Sequence, residues 1–174
     1  RDRTVILPPG AWTNWFTGEV VDGGRTVAVD APLEALPLFL KAGGIVPLLR
    51  PTIDTLAPTT EAERVDSFDT DPGILYARIA SGPASSFELW DGSRIEQEGD
   101  SLAFVGGTVF GSGALLEIVA FGAAPAEVLV DGVAAAQVQE PEASMEPAWA
   151  MDAGLGGMLR IRVPDGVHAI EVRR

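Results

Sequence analysis

The sequence predicts an all-β chain arranged as two consecutive antiparallel β-sandwich domains, and three observations carry that expectation. Few windows of about eleven residues keep apolar positions at helical spacing without meeting Gly or Pro. Short runs rich in Val, Ile, Leu and aromatic residues recur instead, separated by turn clusters at roughly the 8–12-residue intervals of sandwiches and barrels. Asp-Gly turns at 22–24, 91–92 and 131–132 lie between such runs, as hairpins require.

Taken in order, strands are expected at residues 4–7, 15–17, 26–30, 36–41, 74–80, 86–90, 101–105, 115–120, 127–130, 159–163 and 168–172. The stretch "VDAPLEALPLFLKAGGIVPL" is the most shaped of them: Pro37 and Pro47 flank a short apolar run that leaves through Gly43 and Gly44. Proline has no ladder N–H and belongs at strand starts and edges, while glycine admits turn angles that other residues resist. In "AEVLVDGVAAAQV", Val128 and Val130 point to one face and Leu129 to the other, around an Asp-Gly turn. "GMLRIRVPDGVHAIEVRR" repeats the plan, with Leu159, Ile161 and Val163 toward a core and Arg160 and Arg162 toward water. The Pro-, Thr- and acid-rich residues 50–73 read as a surface crossover. The division falls near residue 80, with a proximal sandwich over 1–80, its first strand expected to be missing, and a distal one over 81–174.

With 12 Lys and Arg against 25 Asp and Glu, the net charge of −13 repels phosphate backbones and anionic lipid. Nucleic acid is excluded as a partner on that ground. No apolar run approaches the roughly 20 residues of a membrane helix, so a membrane partner is not expected either. The absence of cysteine removes thiolate chemistry and disulfides and leaves the compartment open. The opening "RDRTVILPPG" has no Met and reaches a strand-like run within three residues, which reads as a fragment of a longer polypeptide.

Residues that could carry chemistry are few. Asp69 and Asp71 in "FDTDPG" have the spacing of a cation pair but lack the further oxygen ligands of a calcium loop, and Asp before Pro-Gly opens turns. Asp91 and Asp131 precede glycine and read as turn residues. His168, the single histidine, shares a strand face with Ile170 and Val172, so it is expected to be partly buried and hydrogen-bonded rather than a base. No nucleophile, metalloprotease or P-loop motif is present, and no cofactor or metal is expected. Among the tryptophans, Trp12 and Trp15 are expected to pack, whereas Trp149, in the loop-like "EPAWAMDAG", and Trp90 are the candidates for stacking on a sugar ring.

Residues 4–48 resemble one family closely. An apolar strand ending in Leu7-Pro8, then Gly10-x-Trp12, the aromatic pair Trp15-Phe16 with Thr17-Gly18, the Gly23-Gly24 turn, Ala31-Pro32-Leu33, Pro37-x-Phe39, Ala42-Gly43 and Ile45-x-Pro47 is similar to the segment that follows the catalytic barrel in glycoside hydrolase family 31, the α-glucosidase and α-xylosidase family. "SSFELWDG" and "APAEVLVDGVA" are similar to strands of the family's distal β-domain, though only Asp91 stands where many members have two acids. The resemblance implies a proximal and a distal C-terminal β-sandwich of a retaining α-glycosidase. It also implies that both catalytic aspartates lie on an (α/β)8 barrel outside this sequence, so no catalytic residue carries over. The expected role is structural, packing against the barrel with Phe39 and Ile45 in the core or the seam. The alternative is a carbohydrate-binding module that holds oligosaccharide through exposed Trp. A missing first strand would leave a sheet edge or an apolar face open, and an edge-paired homodimer is expected from it.

Overall fold

The computed structural model describes residues 2–32 and 36–174. Leu33 of the family pattern lies outside the described residues, as does Arg1. The N-terminal part comprises β1 (Asp2–Leu7), β2 (Ala11–Asn14), β3 (Val20–Asp22), β4 (Arg25–Asp30) and β5 (Phe39–Lys41). There follow β6 (Ile45–Leu48), β7 (Leu75–Ala80), β8 (Ser85–Glu88), β9 (Arg94–Glu98), β10 (Ser101–Val105), β11 (Ala114–Val119) and β12 (Glu127–Val130). The chain closes with β13 (Val133–Ala134), β14 (Ala136–Gln137), β15 (Ala148–Asp152), β16 (Met158–Val163) and β17 (Val167–Arg173). Among the described residues the helical element is a single 3-10 turn, Pro141–Ala143.

Two six-stranded sheets face each other as a sandwich. Their orders are β13-β12-β17-β10-β9-β8 and β14-β15-β16-β11-β7-β6. Pairing is antiparallel except for β7 with β11 and β14 with β15, which run parallel. Alternate residues of the strands meet between the layers: Ile45, Ala77, Leu116, Leu159 and Ile161 from one sheet, and Ile95, Phe104, Val128, Ile170 and Val172 from the other. β6 and β7 pair into the same sheet as β11, so sheet pairing runs continuously across residue 80. Residues 50–73 cross between β6 and β7 as a mostly exposed excursion, tied down by a Thr55–Ser67 bridge and by Phe68, whose ring lies 5.9 Å from that of Phe110.

Residues 2–41 form two small sheets, β1-β4 and β3-β2-β5. The DGG turn at 22–24 joins β3 to β4, which belong to different sheets, so it is not a hairpin. Residues 15–17 form a turn instead of the expected strand, because the Asn14 carboxamide accepts the N–H groups of Phe16, at 2.9 Å, and Thr17, at 3.2 Å. The strand expected over 36–41 shortens to β5, since Pro37 offers no ladder donor. Leu40 is its buried residue and Phe39 is only half-buried, while Ile45 does enter the sandwich core. Pro47 lies in β6, an edge strand where the lost N–H costs no ladder bond.

The N-terminal sheets are joined to the outer face of the second sandwich sheet. Leu40 meets Ala80, Val119 and Met158 there, with Trp15, Val46 and Leu155 packed around them. The Arg78 guanidinium lies 4.3 Å from the Trp15 ring and donates to Glu117 at 3.0 Å, so an aromatic ring, a cation and a carboxylate bridge the seam in sequence.

The same outer face corrects the expectation for Arg162, which is 3% exposed rather than in water. Its guanidinium donates to the carbonyls of Ser144, Ala114, Val163 and Ser112. Arg160 is partly buried, pairs with Glu142 at 3.0 Å and donates to the Gln139 carbonyl. The segment around the 3-10 turn covers this face, and the two arginines hold it down.

Candidate functional site

The clearest candidate lies where the two sandwich sheets end side by side. β6 and β8 are the edge strands of their sheets, and an apolar groove of about 310 Å3 opens between them. Leu48, Leu49, Phe68, Leu75, Phe87 and Phe110 form its walls, with Glu88 and Trp90 at the β8 side. Trp90 is 78% exposed.

Trp90 projects from the turn between β8 and β9, and that turn is fixed from below. Gly92 N–H donates to Leu89 O at 3.1 Å, and Leu89 N–H donates to Ser93 O at 2.8 Å. Asp91 is buried, and its carboxylate accepts from Ser93 N–H and Ser93 Oγ, both at 2.9 Å, and from Val109 N–H at 3.3 Å. Its carbonyl accepts from Thr108 N–H at 3.1 Å. Asp91 is therefore the turn residue the sequence predicts, and it also anchors the platform that holds an indole in water.

Trp149 belongs elsewhere. It sits in β15, opposite Ile161 of β16, and is 5% exposed within the main core. The flanking Pro147 and Gly154 suggest a loop, but pairing with β16 makes the segment a strand and turns the ring inward. Trp12 and Trp15 are partly buried as expected, Trp12 donating from Nε1 to Pro8 O at 2.9 Å.

The polar candidates serve turns. His168 Nδ1 lies 2.7 Å from Asp131 Oδ2, and its Nε2 lies 3.2 Å from Asp165 O, so the ring ties the β12–β13 hairpin turn to the β16–β17 connection between the two sheets. The Asp131 carboxyl is held below its ordinary value, first by the Ala169 N–H and then by His168. Asp71 lies 3.6 Å from Arg50. Arg50 also pairs with Asp66, a hydrogen bond that raises the guanidinium and lowers the carboxyl.

Sequence reasoning assigned no residues to a second, apolar surface. On the N-terminal sheets Ile6, Phe16, Val20, Leu36 and Leu38 are 79%, 58%, 56%, 62% and 41% exposed. Phe16, Val29 and Leu36 line a shallow hollow of about 140 Å3. The available signal was the lack of any local partner for these apolar side chains, which alternation along one strand does not reveal.

Residues 1–46 match the glycosyl hydrolase family 31 C-terminal domain. The chain is 41% identical over 89 residues to α-glucosidase 2 of Bacillus thermoamyloliquefaciens, covering 51% of this chain and 10% of that protein. It is 29% identical over 98 residues to an α-xylosidase of Saccharolobus solfataricus, covering 56% of this chain and 12% of that protein. Two solved structures share its fold over 99% of its length. They are a Flavobacterium johnsoniae GH31 dextranase complexed with isomaltotriose, at 19% identity and a TM-score of 0.71, and a cycloalternan-forming enzyme of Listeria monocytogenes in complex with a pentasaccharide substrate, at 19% identity and 0.70. The chain spans 24% of the first and 17% of the second.

Proposed function

Because the chain carries a C-terminal β-domain of glycoside hydrolase family 31, we propose that it is a non-catalytic β-sandwich region that packs against and stabilises an (α/β)8 catalytic barrel elsewhere in a longer retaining α-glycosidase. The observation that carries this reading is the apolar surface of the N-terminal sheets. A two-stranded ladder is at best marginally stable in water, yet β1-β4 leaves Ile6 in solvent, and Phe16 and Leu36 stay uncovered nearby. Exposed apolar patches of this kind mark surfaces that another part of a protein covers. The names of the relatives, α-glucosidase and α-xylosidase, support an α-glycoside as the parent's substrate.

The test compares the same two substitutions in two contexts. Ile6→Glu and Leu36→Glu are expected to change the stability of this chain alone by no more than about 0.5 kcal/mol, as exposed substitutions do. In the parent polypeptide they should lower the thermal midpoint and dissociate the β-region from the barrel under limited proteolysis. Equal effects in both contexts would refute a barrel-facing surface. Taken alone, the same uncovered ladder supports an edge-paired dimer, and a monodisperse monomer by light scattering would remove that expectation. The second reading, a carbohydrate-binding module, now rests on Trp90 without Trp149.

A further inference from the structure

We propose that the Trp90 turn and the groove beside it form a binding site for a neutral oligosaccharide, with the indole stacked on a sugar face and the Glu88 carboxylate accepting sugar hydroxyls.

The site is built rather than incidental. Buried Asp91 fixes the turn with three bonds to its carboxylate, so Trp90 is held in solvent on a rigid support. An indole left in water forgoes one of the largest apolar burials any side chain offers. Recognition benefits from such a support, because little conformational freedom remains to be lost on binding.

Size selects the class of occupant. A groove of about 310 Å3 lies at the small end of the roughly 300–1,000 Å3 typical of small-molecule sites. A protein partner would require a face of about 800 Å2, much of it outside this groove.

Charge and chemistry select the ligand. Glu88 is the one ionisable group in the lining; its backbone pairs with Arg94 in the β8–β9 ladder, and among the described residues its carboxylate makes no hydrogen bond or ion pair. With a net charge of −13, the chain repels anionic ligands. A small quaternary ammonium is the competing class, since it too is drawn to an indole and a carboxylate. It would, however, set a charge against Leu48, Leu49 and Phe87, with Trp90 the one ring that stands mostly in solvent to cage it. A sugar presents an apolar C–H face to the ring and the aliphatic wall, and its hydroxyls, which donate, meet the free carboxylate. None of these residues lies in the N-terminal sheets, so the site and the barrel-facing surface stand or fall separately.

The experiment titrates the isotopically labelled chain with maltotriose and, in parallel, with tetramethylammonium chloride, following the Trp90 indole resonance assigned by its loss in Trp90→Phe. The expected result is a saturable shift of that resonance with maltotriose. Calorimetry should show an affinity loss of at least about tenfold in Trp90→Ala and a few-fold in Glu88→Gln. Both variants should unfold at the wild-type midpoint, because both side chains are exposed. No shift with the sugar, a sugar affinity that survives Trp90→Ala, or a shift produced by the ammonium alone would each overturn the proposal.

Discussion

The two N-terminal sheets and the large sandwich are made of the same kind of strand, short, apolar at alternate positions and closed by glycine turns, yet they bury those positions differently. In the sandwich, each sheet has a facing layer, and Ile95, Phe104, Leu116, Leu159, Ile161 and Val163 are at or near zero exposure. Among the described residues, the N-terminal sheets contribute Leu7, Ala31 and Leu40 to the buried apolar set, and Leu40 is buried against the sandwich rather than within its own sheet. A ladder of hydrogen bonds is therefore not enough, and what distinguishes the regions is whether a second layer is present. The region that matches the family's C-terminal domain, residues 1–46, is also the one whose apolar surface is least covered.

The largest expected effect tests this contrast directly. Phe104→Ala should cost about 3–5 kcal/mol in urea unfolding, since the ring is fully buried between the sandwich layers. Phe39→Ala, at a half-buried position of β5, should cost about 1–2 kcal/mol, a fraction of the same transfer. Equal losses would mean that the N-terminal sheets hold a core of their own, and the comparison would break.

Much of the sandwich was legible because period-2 alternation is local. In β16 and β17 the residues expected inward, Leu159, Ile161, Val163, Ile170 and Val172, are all buried. The Asp131–Gly132 turn was legible too, and both residues take the positive φ its hairpin needs, 53° and 78°. Alternation separates two faces but cannot say whether the second is wet. Arg162 was assigned to water, yet it is buried and donates to the Ser144 carbonyl, a covering set by a segment some twenty residues earlier in the chain. "RIEQE" shows no apolar alternation, so β9 went unseen, although Gln97 turns inward and donates to Ala80 O at 3.4 Å. Of the candidate site, Trp90 and Asp91 could be read from residue type and turn chemistry. The groove could not, because it exists only where the edges of two sheets, built from distant residues, come side by side.

A smaller effect sharpens the comparison at the seam. Gly18 holds a φ of +72°, and a Cβ built on it would lie 1.9 Å from the Leu155 backbone carbon. Leu155 itself sits at a φ of 54° and packs into the seam cluster. Backbone thus rests on backbone where the first region meets the second, and no side-chain rotation can relieve a clash there. Gly18→Ala should cost about 1–3 kcal/mol, and hydrogen exchange should show where: amides of β2 and β5 losing protection while those of β11 and β16 keep theirs. A uniform loss across both regions would mean that they unfold as one cooperative unit and that the seam is as strong as the core.

The smallest effect belongs to a turn of the sandwich and is read through pH. The Asp131 carboxylate accepts from Ala169 N–H at 2.9 Å and faces His168 Nδ1 at 2.7 Å, and these contacts hold its proton affinity below the ordinary value near 3.8. The native state therefore takes up this proton less readily than the unfolded chain, so unfolding gains a proton in acid. The contribution is present in full above the unfolded value, declines as the pH falls through it, and is gone below the folded one. Because the side chain is half exposed, solvent screens the interaction and the effect is small. Wild type should exceed Asp131→Asn in stability at pH 6, and the gap should close as the pH falls below about 4. A gap that stays constant through that range would mean that the substitution acts on the strained turn, where residue 131 needs its positive φ, and not on the charge.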